Sequence, residues 1–349
     1  FMAVSVALTV ILLIFVRNST AVMSTPDEAV DGTIRYLALC FIGIPFITAY
    51  NIISSVFRGM GDSKSPMYFI AVACAANILL DYLFIGALHM GPVGAALGTV
   101  VSQSISVAVS FYVILKRRSI VLQKSDFKPE RKVMGKILKI GVPIAMQDGL
   151  IQIAFIVITV IANRRGLNTA AAVGIVEKII SFLFLIPSSM LSAVSALGAQ
   201  NIGANKPERA VATLRYAILI AAGFGLTASV IIQFIAEPIV SLFTDSSAAG
   251  GAEVIRLGGQ YLRGYIWDSV FAGIHFSFSG YFCACGRSEL SFMHNIIAIA
   301  FMRVPGVYLA SKMFPGTLFP MGLATAAGSL VSVIICIIAY RIIMRNNRI

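Results

Sequence analysis

Six ionisable residues stand inside long apolar runs of this 349-residue chain: Asp81, Asp148, Glu177, Lys178, Asp268 and Arg303. A charge held at mid-bilayer depth costs about 2.5–3.5 kcal/mol on insertion scales, so each is a candidate for function. Asp81 has the most specific surroundings. Asn77 lies one helical turn before it, on the same face. Thr99 lies beyond a short Gly91-Pro92 turn, in a segment that runs back at similar depth. A carboxylate, an amide and a hydroxyl brought together make an oxygen-rich cluster suited to a proton or to Na⁺. No metal site is assigned beyond the option of Na⁺ at Asp81, and no cofactor is expected.

The other charges admit two readings. Four acids against two bases leave the apolar interior acidic, as a cavity that attracts organic cations would be. Asp148, Gln152, Glu177 and Asp268 are the candidates to line it, with Gln147 beside Asp148. Alternatively, Lys178 and Arg303 form a buried charge network with Asp268 and Glu177. Glu177 and Lys178 are adjacent, about 100° apart on a helix, and cannot serve one partner together. Enzyme chemistry has no foothold: there is no H-E-x-x-H, no G-x-S-x-G and no P-loop. The five cysteines all lie in apolar runs and read as packing residues.

The elements that must position these residues follow from composition. Hydrophobic residues make up 58% of the chain and charged residues 12%, against about 25% charged in soluble domains. That excludes disorder, a nucleic-acid-binding domain and an ordinary soluble enzyme, despite the net charge of +12. Gly, Pro, Asn and charge divide the chain into ten apolar segments near 1–22, 33–59, 64–88, 91–116, 137–163, 168–201, 206–243, 250–285, 288–312 and 318–346. Their continuous apolar character predicts helices, since barrel strands would alternate. If the first segment runs outward, 18 of the 27 Lys and Arg fall on one side, together with the C-terminus. Seven fall on the other side: Arg17, Arg35, Arg164, Arg165, Arg256, Arg263 and Lys312. The positive-inside rule makes the first side cytoplasmic. The expectation is a multi-pass protein of the plasma membrane with a cytoplasmic C-terminus and a cytoplasmic linker at 117–136.

The sequence repeats across that linker. At an offset of 225, Tyr36-Leu37 falls on Tyr261-Leu262, Phe46 on Phe271, and Gly61-x-Ser63 on Gly286-x-Ser288. Farther on, Gly94-x-Ala96 falls on Gly322-x-Ala324 at an offset of 228. Asn77 and Asp81, however, fall on Met302 and Gly306, so the scaffold repeats and the chemistry does not. Six segments follow the linker and four precede it, which predicts two pseudo-symmetric lobes of a twelve-helix fold with the first two helices missing and ten present. The expected units are a partial N-lobe at 1–116 (helices 3–6 of the parent fold), the linker, and a C-lobe at 137–349 (helices 7–12).

Together, Phe57-Arg58-Gly59-Met60-Gly61-Asp62, Asn77-x-x-x-Asp81, Gly94-Ala95-Ala96, Gly141-Val142-Pro143 and Gly198-Ala199-Gln200-Asn201-Ile202-Gly203-Ala204 resemble the multidrug and toxic compound extrusion (MATE) transporters. The pattern is most similar to the prokaryotic branch named for DNA-damage-inducible proteins. The resemblance implies an all-α polytopic fold and an antiporter, not an enzyme, that exports organic cations and drugs by alternating access, driven by H⁺ or Na⁺. It implies a first-lobe coupling site at Tyr36, Asn77, Asp81 and Thr99, completed by an Asp on the missing first helix. The other large branch uses a Glu and an Asp in the second lobe. Those positions fall on Ile151 and Ala272, one turn after Asp148 and Asp268, which favours the first-lobe site. The implied partners are small organic cations and membrane lipid, with no nucleic acid, and the protein acts as a monomer. The alternatives are a lipid-linked oligosaccharide flippase of the same superfamily, against which the acidic interior argues, and a channel.

Overall fold

A computed structural model describes residues 1–22, 27–117, 130–245, 247 and 250–345. Among them the chain is helical throughout, with no strand. It divides into two compact units, Phe1–Lys128 and Pro129–Ile349. The first holds α1 (Met2–Ile14), α2 (Val16–Val22), α3 (Asp27–Gly59), α4 (Lys64–Asp81) and α5 (Gly91–Arg117). The second holds α6 (Arg131–Asn163), α7 (Leu167–Leu183), α8 (Leu185–Gly203), α9 (Pro207–Ser241), α10 (Gly251–Tyr265), α11 (Asp268–Ala284), α12 (Ser288–Ala298), α13 (Val304–Met313) and α14 (Phe319–Arg345). Two short π-helical stretches, Tyr82–Ala87 after α4 and Ile299–Arg303 between α12 and α13, continue their helices. Most of the expected linker, 118–129, lies outside the described residues, whereas 131–136 are the first turns of α6.

Seven helices among the described residues are long and apolar enough to cross a membrane, and α7 with α8, bent by 41°, are together long and apolar enough for an eighth span or a re-entrant loop. The protein is therefore a multi-pass membrane protein. Three of the ten segments are broken into shorter helices: the first into α1 and α2, the sixth into α7 and α8, and the eighth into α10 and α11. The polar sequence of α10, with Glu253, Arg256, Gln260 and Arg263, is compensated by intimate packing. A methyl on Gly264 would collide with the Phe319 carbonyl and one on Gly322 with the Tyr261 carbonyl, so α10 and α14 meet backbone to backbone.

The repeat is visible in the hydrogen bonds. Gly61 and Gly286 both have positive φ, at 88° and 70°. Around Gly61, Asp62 N bonds Phe57 O at 2.9 Å and Gly61 N bonds Arg58 O at 3.1 Å. Around Gly286, Arg287 N bonds Phe282 O at 2.8 Å and Gly286 N bonds Cys283 O at 3.0 Å. This is the same glycine-terminated helix end at the same offset of 225, and its positive φ favours a residue without a Cβ. Each copy leads into the helix that carries an ionisable group: α4 with half-buried Asp81, and α12 with the π stretch that ends in buried Arg303.

The units differ in core. Ile53, Phe57, Phe69 and Ile114 make the small core of the first, with Phe57 edge-on to Phe69 at 5.5 Å. The second has two cores, one around Tyr261, Tyr265, Val176 and Ile232, the other around Phe278, Tyr281 and Phe282. In the first unit α5 packs against both α3 and α4, which makes it the platform on which the Asp81 region rests.

Candidate functional site

The face of α5 toward α4 is built from small residues. Gly94 and Gly98 stand one turn apart on it, and each is a point of close approach. A methyl on Gly94 would come within 3.0 Å of Phe84 Cβ, in the π-helical stretch. A methyl on Gly98 would overlap Asp81 Oδ1 and reach 3.5 Å from Asn77 Nδ2. The acid and the amide therefore both lie against Gly98, and a side chain there would displace the carboxylate. Asp81 Oδ1 and Asn77 Nδ2 are buried, and neither has a hydrogen-bond partner among the described residues. Asp81 is also the residue after which the backbone turns to π geometry, with Leu88 N bonded to Leu83 O at 2.9 Å. Such wide turns inside membrane helices recur at functional positions because they leave the local ladder adjustable.

The remaining first-lobe candidates are less closely joined. Thr99 follows Gly98 directly, but its hydroxyl donates to Ala95 O at 3.0 Å on its own helix and its side chain is exposed. Its oxygen keeps a lone pair for an ion. Tyr36 sits on α3, where its side chain meets Cys40 one turn on. No hydrogen bond links Tyr36 to Asp81 or Asn77 among the described residues. The partner Gly98 was not among the residues singled out from the sequence. The signal that could have found it is the Gly94-x-x-x-Gly98 spacing, a small-residue stripe that lets helices touch.

In the second unit the charges separate into two groups. Asp268, at the start of α11, is fully buried and forms an ion pair with Arg303 Nη2. Arg303 also donates to Ser329 Oγ at 3.3 Å and lies over Gly328 of α14. Asp268 is thus an ion-pair partner inside the helix bundle, not a wall of a cavity, because Arg303 neutralises it there. Lys178 likewise differs from expectation. Its side chain is exposed, and among the described residues it has no acidic partner, so the buried network holds Arg303 without Lys178. A lysine on the outer face of α7 keeps its ammonium solvated, which is less costly than burying a second base beside one acid.

The second group faces the other way. Asp148 and Gln152 are exposed on one side of α6, with Phe155 and Thr159 continuing the same stripe. Thr159 donates to Glu177 Oε1 at 3.3 Å, which ties half-buried Glu177 of α7 to this face. Gln147 points oppositely: it is buried and accepts from Ser291 Oγ at 2.5 Å. Sequence reading missed Thr159, because a Thr in an apolar helix gives no sign of a partner eighteen residues away.

These features have relatives. The family model described as MatE matches residues 1–83 and 143–309. A probable multidrug resistance protein, YpnP of Bacillus subtilis, is 29% identical over 289 residues, covering 83% of this chain and 64% of the relative. The multidrug export protein MepA of Staphylococcus haemolyticus is 26% identical over 310 residues, covering 87% and 66%. This chain thus spans just under two thirds of the length of these two relatives. Among solved structures, MATE in complex with MaL6 superposes with a TM-score of 0.90 at 24% identity, covering 97% of this chain and 76% of that one. A MOP superfamily transporter from Pyrococcus furiosus, described as having a binding pocket of reverse polarity, gives the same TM-score and identity over 98% of this chain and 76% of its own. The solved structures establish the fold; the family model, spread over both units, establishes that the chain belongs to the MatE family.

Proposed function

We propose that the protein exports organic cations, including drugs, by alternating access, in exchange for H⁺ or Na⁺ bound at Asp81. One observation supports this most: a carboxylate oxygen and an amide nitrogen, both buried and unpartnered, share a seat on Gly98. An unpaired acid in an apolar helix is costly, and a site that binds and releases a cation offsets that cost during each cycle. Protonation would convert Asp81 from acceptor to donor and remove its charge. Na⁺ would instead be held by the carboxylate with the Asn77 and Thr99 oxygens. In either case occupancy changes what the seat can bond, next to a π-helical stretch able to shift. Tyr36 is proposed as a supporting member of the site, from family likeness.

The cargo would be drawn by the exposed carboxylate of Asp148, with Gln152 and the Thr159–Glu177 pair on the same face. Multidrug export is what the names of the relatives state, and it is carried over to this chain as a proposal. The reading places the protein in the plasma membrane with its C-terminus in the cytoplasm. Asp81→Asn in the full-length protein tests it. The variant should reach the membrane normally and lose resistance and cation-coupled efflux of a fluorescent organic cation. Efflux at the wild-type rate with an intact pH or Na⁺ dependence would sink the reading.

A further inference from the structure

A groove of about 740 Å³ runs between α6 and α13, wholly within the second unit. Its walls are two stripes at helical spacing: Ile156, Val160 and Arg164 on one side, Val304, Tyr308 and Lys312 on the other. Each stripe is apolar along its length and ends in a cation. Both cations lie where their helices stop, with Arg164 following Asn163 and Lys312 in the last turn of α13.

Helix C-termini expose carbonyls and repel anions, and just beyond α13 a third cation answers part of that repulsion. Arg165 donates to Phe314 O at 3.2 Å and Thr317 O at 3.5 Å, and also to Pro315 O, capping the chain beyond α13. Arg164 and Lys312 stay outside that cap. Lys312 Nζ is held 5.4 Å from the centre of the Tyr308 ring, at the groove mouth. Among the described residues neither Arg164 nor Lys312 has a carboxylate partner, and no acid lines the groove. Three of the seven basic residues on the side opposite the basic majority, Arg164, Arg165 and Lys312, therefore gather at this one mouth.

From this arrangement we infer that the α6–α13 groove is a binding site for an anionic glycerophospholipid, its acyl chain along the apolar stripes and its phosphate between Arg164 and Lys312. The charge complementarity selects this occupant. A zwitterionic lipid carries its own ammonium against the two cations, and an organic cation is repelled by them. Juxtamembrane cations attract anionic headgroups in this way, while apolar walls below them fit only a chain. The site is separate from Asp81, and its occupancy can be read without transport.

The test is native mass spectrometry of the purified chain in neutral detergent with phosphatidylglycerol, phosphatidylcholine or glycerol phosphate. Phosphatidylglycerol should be retained about tenfold better than phosphatidylcholine. Arg164→Gln with Lys312→Gln should abolish that preference, Arg164→Lys with Lys312→Arg should preserve it, and Val160→Trp should lower binding of both lipids by filling the groove. Equal retention of the two lipids overturns the inference, as does an unchanged preference in the double Gln variant. Glycerol phosphate binding as tightly as the lipid would also overturn it, since the apolar stripes would then contribute nothing.

Discussion

The side chains with exchangeable bonds are few, and Asp81 stands out because its surroundings leave it incomplete. Asp268, fully buried, is paired with Arg303 through one carboxylate oxygen, while Asp81 Oδ1 lies buried against Gly98 with no hydrogen-bond partner among the described residues. A paired acid is held in one charge state, and an unpaired one is free to exchange a cation. Gly98 gives this a second handle. Gly98→Ala places a methyl where Asp81 Oδ1 now lies, so it should displace the carboxylate while leaving the acid in the chain. The expected result is normal membrane abundance with efflux reduced at least about tenfold, a loss of about 1.4 kcal/mol in the coupled step. Uptake of a fluorescent cation into inverted vesicles measures it. Efflux equal to wild type would show that the seat is packing alone.

At the level of elements, the repeated helices carry opposite solutions. Both follow a turn closed by a positive-φ glycine, Gly61 or Gly286, and both contain a π-helical stretch beside an ionisable residue that rests over a glycine of the following helix. In the first unit the residue is an unpaired acid before the π stretch. In the second it is Arg303 at the end of the stretch, clamped by Asp268 of α11 and by Ser329 of α14. The second arrangement predicts a fixed helix. Arg303→Met leaves Asp268 buried and uncompensated, which should cost about 3–5 kcal/mol and show as a large drop in thermal stability. Replacing both residues together, with Asp268→Leu added, should recover most of that loss. Equal damage in the single and double variants would mean that the pair is not what holds α11 to the helix of Arg303.

For the whole molecule, orientation is the property that composition speaks to most directly. If the first segment runs outward, eighteen of the 27 basic residues of the sequence fall on one side, and that side should be the cytoplasm. In a background with the five native cysteines replaced by alanine, Lys206→Cys and Gly316→Cys occupy exposed positions between helices at opposite ends of the bundle. A membrane-impermeant thiol reagent applied to intact cells should label Gly316→Cys and not Lys206→Cys, and in inverted vesicles the pattern should reverse. Labelling of Lys206→Cys from outside would contradict the orientation and the route proposed for the cargo.

The sequence by itself determined what local chemistry dictates. Long apolar runs bounded by Gly, Pro and charge specify membrane helices wherever they occur, and a glycine at positive φ marks a helix end. The class, the segments, the repeat and the family likeness could therefore be read before any coordinates. Even so, local rules did not show that the first, sixth and eighth segments would break into shorter helices. They also did not show which of two readings Asp268 would follow, since its Arg303 partner lies 35 residues away. Lys178 turned outward, Thr159 met Glu177, Gly98 became the seat of Asp81, and Arg164 came to share a groove mouth with Lys312. Each of these depends on the rotation of a helix about its axis and on which neighbour it packs against. Those quantities are set by the summed packing of whole helices, so only the tertiary structure decided them.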